Sequence, residues 1–589
     1  MKNIFRSEKV RWFLPILYKD INLLVVSLII GLISCGVGLS LAVFSQKMID
    51  DIIPSKDTHY FYKAIGVLVI LLLLRIATMY LQPLVGSIHG KRFNLRLVNA
   101  FFAKMIFLPK SFFDEHKTGT LITRMHDSAA IHGTVMFVFN ALILNFLNIL
   151  ISAIFLFQYS VLIGLIALAS FPLFFISSLI HKGLMKIRLQ EMYVANGENE
   201  SNYISSIQNI DLIKTHNKQT YYTEQNAVKY GNSLEKGFRA HLTGMNFGLS
   251  SDSIGTLCYL LILSIAAYQA LVGHITVGEF TATLGVATGM LGPIGVLGNA
   301  LMHLQEARVA FDRMYEILSA KSEFNIDEEV RKDFPGRIHH IGLDDVSFSY
   351  DTNIPLLKNI NFSASSGEIV CIFGRNGSGK STLINLLVAL YHPVSGRILV
   401  NGKSILDYSI VGIRNQIAVV SQQTKLFDGS LMYNVCMSTD QHEIKKACEF
   451  LSARGFDPFI ARIQGGYEAQ VSEDGNNLSG GQKQIIALAR ALYKYPDVLL
   501  VDEATAALDS ESEEFVIKSL QEFADQGGIV IMVSHRLNPA RASSRIIVLD
   551  EYSVQAEGDH DSLMLTRNLY SRRYKVSEKR QKSPAVTTE

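Results

Sequence analysis

The sequence predicts an α-helical six-span transmembrane domain with long cytoplasmic helical extensions, followed by an α/β domain with a mostly parallel sheet built around a phosphate-binding loop. Three observations carry this. Only 18 % of the 589 residues are charged, against about 25 % in an ordinary soluble protein, and the mean hydropathy is +0.23. The apolar excess falls almost entirely before about residue 305, so a membrane half precedes a soluble half. In the second half, apolar strand-like runs alternate with helical stretches, the pattern of a parallel sheet with crossover helices.

Residues 1–20 carry Lys2, Arg6, Lys9, Arg11 and Lys19 around Trp12, Phe13, Leu14 and Leu17. This is the composition of a basic segment lying on the cytoplasmic membrane surface. The apolar run that follows, 21–44, is too long for a signal-peptide core and has no small-residue cleavage site, so it reads as the first span. Further spans are expected at 64–84, 135–157, 161–180, 249–272 and 281–303, each near the ~20 residues that cross a ~30 Å hydrocarbon core. The N-terminus and the loops 91–134 and 181–248 are rich in Lys and Arg, whereas 158–160 and 273–279 have neither. The positive-inside rule places the N-terminus and both long loops in the cytoplasm. The helical domain is expected over 21–321, a polar linker over 322–337, the nucleotide domain over 338–576 and a disordered tail over 577–589. Cys35, Cys258, Cys371, Cys436 and Cys448 show no CxxC pair or metal spacing and read as free thiols facing a reducing cytosol. A net charge of +2 gives no reason to expect a nucleic-acid partner.

The chemistry is concentrated in three stretches. Gly374–Ser381 (GRNGSGKS) fits G-x-x-x-x-G-K-[ST] and stands between an apolar strand-like run, 369–373, and a helical run, 382–390. Backbone N–H groups of Gly374, Arg375, Asn376, Gly377, Ser378 and Gly379 can face phosphate oxygens at a helix N-terminus, with Thr382 following. Lys380 would reach the β- and γ-phosphates, and the Ser381 hydroxyl would sit on Mg²⁺. The run 498–503 (VLLVDE) is a buried strand ending in Asp502, placed to orient Mg²⁺ through water, and Glu503, placed to polarise the attacking water. Leu478, Ser479, Gly480, Gly481 and Gln482 (LSGGQ) open a helical run with N–H groups and a hydroxyl for an anion.

On these motifs, in this order, the chain resembles the ATP-binding cassette family over nearly its whole length. The resemblance implies ATP and Mg²⁺ as nucleotide and metal, and implies roles for further residues. Tyr350 (VSFSY) would stack on adenine, and Gln422 (VVSQQ) would sense Mg²⁺ and the γ-phosphate. His535 (MVSHR) would steady that phosphate, and Ala507–Leu508–Asp509 would form the loop crossing a dimer interface. LSGGQ would bind nucleotide held by the opposite subunit, so two copies are needed and a homodimer is expected. Six spans fused ahead of the nucleotide domain resemble the exporter branch, a B-subfamily-like half-transporter of a bacterial cytoplasmic membrane. Residues 108–124 and 207–217 resemble its two intracellular loops, with a coupling helix at 111–116. Ser472 and Asp474 stand in QVSEDG where such exporters commonly carry Gly-Glu-Arg-Gly, and Ala506 replaces a common serine.

The cargo is less constrained. Arg75 lies inside the second span, where an unpaired arginine costs about 3 kcal/mol or more. Asn145, Asn148 and Ser152 share one helix face in the third. Both sets are candidates for a polar substrate path, and interhelical hydrogen bonds are the alternative for the Asn face. A polar path would suit a peptide better than a lipid tail, and the stretch 48–57 resembles peptide and bacteriocin exporters, here without a peptidase domain, so a peptide cargo is favoured. A lipid or lipid-linked oligosaccharide flippase, a multidrug exporter, and a regulatory protein gating a partner remain open.

Overall fold

The computed structural model describes residues 8–324, 336–350, 355–505 and 508–582. The chain divides into two compact units, an all-helical one ending at Ser322 and an α/β one beginning at Glu323. Most of the expected linker, 325–335, lies outside the described residues.

In the helical unit, α1 (Glu8–Tyr18), α2 (Ile21–Lys47) and α3 (Thr58–Ile106) come first, then the short α4 (Lys110–Glu115). The expected coupling helix at 111–116 falls on α4. Next come α5 (Thr118–His126), α6 (Ser128–Met136), a π-helical turn over Phe137–Leu142, and α7 (Ile143–Tyr159). Helix α8 (Val161–Gln208), the short α9 (Ile210–Thr215), α10 (Gln219–Leu271) and α11 (Val277–Ser319) complete the unit. At 1.5 Å per residue, the 49 residues of α3 reach about 70 Å, more than twice a ~30 Å hydrocarbon core. The spans therefore continue as helices well past the bilayer, as expected. Among the described residues five helical runs are long and apolar enough to cross a membrane, not six. The sixth expected span, 281–303, is backbone helix within α11, but the side chains of 297–303 lie outside the described residues.

Two apolar cores hold the helices. One joins α7, α8, α10 and α11 through Leu156, Ile163, Phe174, Ile262 and Met290. The other joins α2, α3, α6 and α11 through Leu24, Phe93, Leu97, Ile131 and Met314. Trp12, Phe13, Ile16 and Leu17 of α1 pack on this second core, and Asp20 behind them pairs with Arg96 of α3. The apolar side of the basic N-terminal segment is thus buried in protein, leaving Leu14 and Tyr18 exposed. Asp50, just after α2, anchors the start of α11: it accepts from Thr276 Oγ1 at 2.5 Å and from the Gly278 N–H at 2.9 Å. The Thr276–Glu279 capping box completes that helix end.

The α/β unit holds β1 (His340–Phe348), β2 (Leu357–Ser365), β3 (Ile369–Gly374), α12 (Lys380–Leu387), β4 (Ser395–Val400) and β5 (Ile417–Val420). It continues with α13 (Gly480–Tyr493), β6 (Val498–Asp502), α14 (Ser510–Asp525), β7 (Ile529–Ser534), β8 (Arg545–Asp550), β9 (Ser553–Gly558) and α15 (Leu569–Lys582). One sheet has the order β9-β8-β3-β7-β6-β5, all parallel except the β8–β9 edge. The main sheet is thus mostly parallel, as the sequence predicts, and a second, antiparallel sheet pairs β2-β1-β4. Strands β3, β6 and β7 are buried at every position, as strands covered on both faces must be. The helix α15 runs six residues into the tail expected to be disordered.

Candidate functional site

Strand register brings the three chemical stretches together. Phe373 of β3 lies beside Ser534 of β7, and Val533 beside Asp502 of β6. The residues that follow these strands therefore emerge at one carboxyl edge, where parallel α/β sheets bind ligands. Strand β3 turns there into Gly374–Ser381 and then α12. A Cβ on Gly374 would stand 2.5 Å from the Leu549 carbonyl oxygen and 2.8 Å from Ser378 Oγ, so only glycine fits. Gly377 and Gly379 sit at φ +79° and +90°, the left-handed region that glycine enters without a Cβ clash.

The loop and α12 wall a cleft of about 400 Å³ with Asn376, Lys380, Ser381, Thr382, Gln422 and Glu503 in its lining. Lys380 is 6 % exposed, and its Nζ donates to the carbonyls of Gly374 at 3.2 Å and Arg375 at 2.8 Å. That leaves one N–H of three for a ligand. Burial pulls the Lys380 pKa down, while Glu503 and Asp502 oppose that shift. Glu503 is held from both sides: Gln422 Nε2 donates to Oε2 at 2.8 Å, and His535 Nδ1 lies 2.8 Å from Oε1. Its backbone is at φ +47°, a left-handed strain for a non-glycine residue that costs about 1–3 kcal/mol and turns the carboxylate toward the cleft edge.

Asp502 is 8 % exposed. Burial raises its pKa, a hydrogen bond with Ser381 partly opposing that, and its Oδ1 has no hydrogen-bond partner. An orphaned carboxylate oxygen beside a hydroxyl is a donor set that suits a hard divalent cation. Among the described residues no group of three or more His, Cys, Asp and Glu is arranged for a resident metal.

Tyr350 does not line the cleft but stands beside Thr382, which does. Its hydroxyl lies 3.2 Å from Thr382 Oγ1, and its ring is braced edge-on by Phe348 at 4.9 Å and Tyr391 at 5.2 Å. The ring is 58 % exposed, which leaves area for a flat base. Tyr391 was not legible as a site residue, because a tyrosine 41 positions from Tyr350 carries no local signal. Arg375 pairs with Asp550 at 3.6 Å rather than entering the cleft.

None of Leu478–Gln482 lines this cleft. Ser479 instead caps α13: its Oγ accepts from the Gln482 N–H at 3.2 Å, and its N–H donates to Gln482 Oε1 at 2.9 Å. Gly480 and Gly481 form the first turn. Asp509 caps α14 through the Ser512 N–H at 2.8 Å. Ala506 and Ala507 lie outside the described residues. In the divergent stretch before the signature, Asp474 sits at φ +52°, pairs with Lys425 at 3.5 Å and gives its carbonyl to Lys483 at 2.9 Å.

The helical unit contains a cavity of about 640 Å³ lined by α2, α3, α7 and α11. Arg75, Asn148 and Ser152 line it and Asn145 does not, which corrects the expected grouping. Leu144, next to Asn145 in α7, occupies the space a Cβ on Gly31 would need, so α2 and α7 approach closely there. Ser152 donates to Asn148 Oδ1 at 3.2 Å, and Asn148 Nδ2 donates to the Gly289 carbonyl at 3.5 Å. Asn148 is thus both packing and lining.

Residues 24–294 match the family profile "ABC transporter transmembrane region" and residues 357–506 match "ABC transporter", together more than half the chain. The cyclolysin secretion/processing ATP-binding protein CyaB of Bordetella pertussis is 28 % identical over 95 % of this chain and 78 % of its own length. The leukotoxin translocation ATP-binding protein LktB of Mannheimia haemolytica is 26 % identical over 95 % of this chain and 79 % of its own. The alpha-hemolysin translocation ATP-binding protein HlyB of Escherichia coli O157:H7 is 27 % identical over 96 % and 80 %. A bacterial Atm1-family ABC exporter, solved with ATP bound, superposes with a TM-score of 0.87 at 21 % identity, over 94 % of this chain and 99 % of that one.

Proposed function

This chain belongs to the ABC transporter family as a multi-pass exporter whose ATPase is coupled to transport, and we propose that two identical copies move polypeptide out of the cytoplasm. The observation that carries the mechanism is Glu503, strained into the cleft edge and held between Gln422 and His535. ATP lies along the phosphate loop, its adenine on the Tyr350 ring and its terminal phosphates against the loop N–H groups and Lys380. Ser381, Gln422 and Asp502 would hold Mg²⁺, which when bound offsets phosphate charge. Glu503 takes a proton from water as the water oxygen attacks the γ-phosphorus. The bond from that phosphorus to the β–γ bridging oxygen breaks, giving ADP and phosphate. His535 fixes the carboxylate and steadies the departing phosphoryl oxygens.

The signature does not line its own chain's cleft, which supports the two-copy reading: Ser479 and Gly481 of one copy would close over nucleotide held by the other. Closure then biases the spans toward outward access, and hydrolysis resets them. The nucleotide unit and N-terminus face the cytoplasm of a bacterial cell. The names of the three relatives concern protein toxins: cyclolysin, leukotoxin and alpha-hemolysin. They favour polypeptide cargo over lipid or drug; a bacteriocin is one candidate within that class. ATP-dependent uptake into inverted vesicles tests this, with labelled peptides set against fluorescent lipids and drugs. Uptake of lipid or drug without any peptide would overturn the cargo assignment, and intact hydrolysis with no uptake at all would favour a regulatory protein.

A further inference from the structure

The cavity in the helical unit has an unbalanced chemistry. Its lining contains one cation, Arg75, and no carboxylate. Among the described residues no acidic group pairs with Arg75, and its side chain is exposed to the cavity space. Asp50, just beyond the end of α2, has both oxygens engaged by Thr276 and Gly278.

The hydroxyls around the wall are used up as donors. Ser45 donates to the Leu41 carbonyl at 3.0 Å, Thr281 to Gly278 at 2.8 Å and Thr288 to Leu284 at 2.9 Å. Ser152 donates to Asn148. What remains for a guest is the guanidinium with its five N–H donors, the Ser34 hydroxyl and one amide hydrogen of Asn148. A guanidinium fork matches a carboxylate with two parallel hydrogen bonds, and inside a span an ion pair is screened far less than in water. The small residues Gly38, Ala42, Gly285 and Gly289 beside it leave room for a side chain, not merely an ion.

We propose that this cavity is a specificity site for acidic cargo, with Arg75 receiving an Asp or Glu carboxylate of the passing polypeptide. The inference rests on the polypeptide reading above. The lipid phosphate is the competing source of the same negative charge.

The test uses the full-length protein in nanodiscs of zwitterionic lipid and in inverted vesicles. Three peptides differ only at four positions, all Glu, all Gln or all Lys. Half-saturation of ATPase stimulation and initial uptake rate are read for each. Acidic peptide is expected to half-saturate at a concentration about tenfold below the Gln peptide, the effect of one poorly screened ion pair. Arg75→Gln should erase that gap, Arg75→Lys should keep part of it, and Arg75→Glu should reverse the order toward the Lys peptide. Should Arg75→Gln fail to fold, the wild-type ranking and Arg75→Lys still decide. Equal behaviour of Glu and Gln peptides overturns the inference while leaving polypeptide export standing. Uptake of none of the three overturns the export reading, and this one with it. If Arg75 variants alter the response to added anionic lipid but not the peptide ranking, the guanidinium serves headgroups and acidic cargo is overturned.

Discussion

Replacing Glu503 by Gln isolates the proposed base from everything around it. The side chain keeps its size and its left-handed backbone at φ +47°, so the strain of about 1–3 kcal/mol is common to both proteins and cancels. The amide has one acceptor oxygen where the Glu503 carboxylate has two. One of the two 2.8 Å contacts, to Gln422 or to His535, must then be lost or reversed by an amide flip or a tautomer change. A hydrogen bond to a charged group is worth about 1.5–3 kcal/mol, and this local loss is confined to the hydrolytic edge. In the proposed mechanism phosphate is gripped elsewhere, by the loop N–H groups and Lys380, so ATP affinity should stay within about threefold. Loss of a positioned general base lowers turnover about 10²–10⁴-fold, or about 2.7–5.5 kcal/mol in barrier. Steady-state phosphate release and equilibrium nucleotide binding, measured on the same detergent-purified preparation, read the two quantities separately. Turnover within tenfold of the parent would refute the assignment of Glu503. A parallel loss of ATP binding would mean that the carboxylate organises the phosphate cradle instead.

Two further outcomes follow from buried carboxylates and close backbones. Burial raises the Asp502 pKa, so its charge opposes folding: that penalty is complete above the raised folded value and vanishes below the unfolded one. Asp502→Asn should therefore raise the melting temperature at pH 7, lose that gain as pH falls through the carboxylate range, and weaken Mg²⁺-dependent ATP hydrolysis; a lower melting temperature at neutral pH would contradict the desolvation argument. In the helical unit, a Cβ on Gly278 would overlap the Asp50 carboxylate, whereas nothing stands within 4 Å of one on Gly66. Gly278→Ala should cost about 1–2 kcal/mol by displacing this helix cap, while Gly66→Ala should be neutral or stabilising by up to about 1 kcal/mol; equal melting temperatures for the two would show that the Asp50 anchor contributes nothing.

What was legible in the sequence was whatever repeats locally. The phosphate loop shows because glycine, lysine and serine must fall at fixed offsets between a strand and a helix. Strands β3, β6, β7 and β8 show because burial on both faces makes unbroken apolar runs. Strands β1, β2 and β4 did not: their burial alternates irregularly, as in β2 with exposed Lys358 and Asn359 between buried Leu357 and Ile360. The second, antiparallel sheet therefore had no continuous apolar signal, whereas the mostly parallel main sheet did.

The site was legible in its members but not in how they meet. Gln422, Glu503 and His535 lie on three separate connections, and only the registers of β5 with β6 and of β6 with β7 bring their ends together. Tyr391, which braces the Tyr350 ring, and the Leu549 carbonyl, brought against Gly374 by the pairing of β8 with β3, carry no spacing of their own. The two asparagines make the point in the helical unit. Asn145 and Asn148 are near neighbours on one helix, yet Asn148 lines the cavity and Asn145 does not. Periodicity can assign a residue to a face, but the neighbouring helix determines how far along that face solvent or cargo can reach. The engine is thus readable from motifs that every nucleotide-hydrolysing cleft must keep. Cargo selection depends on pairwise helix contacts, and among the described residues lining this cavity those contacts leave Arg75 as the single charge that a guest would meet.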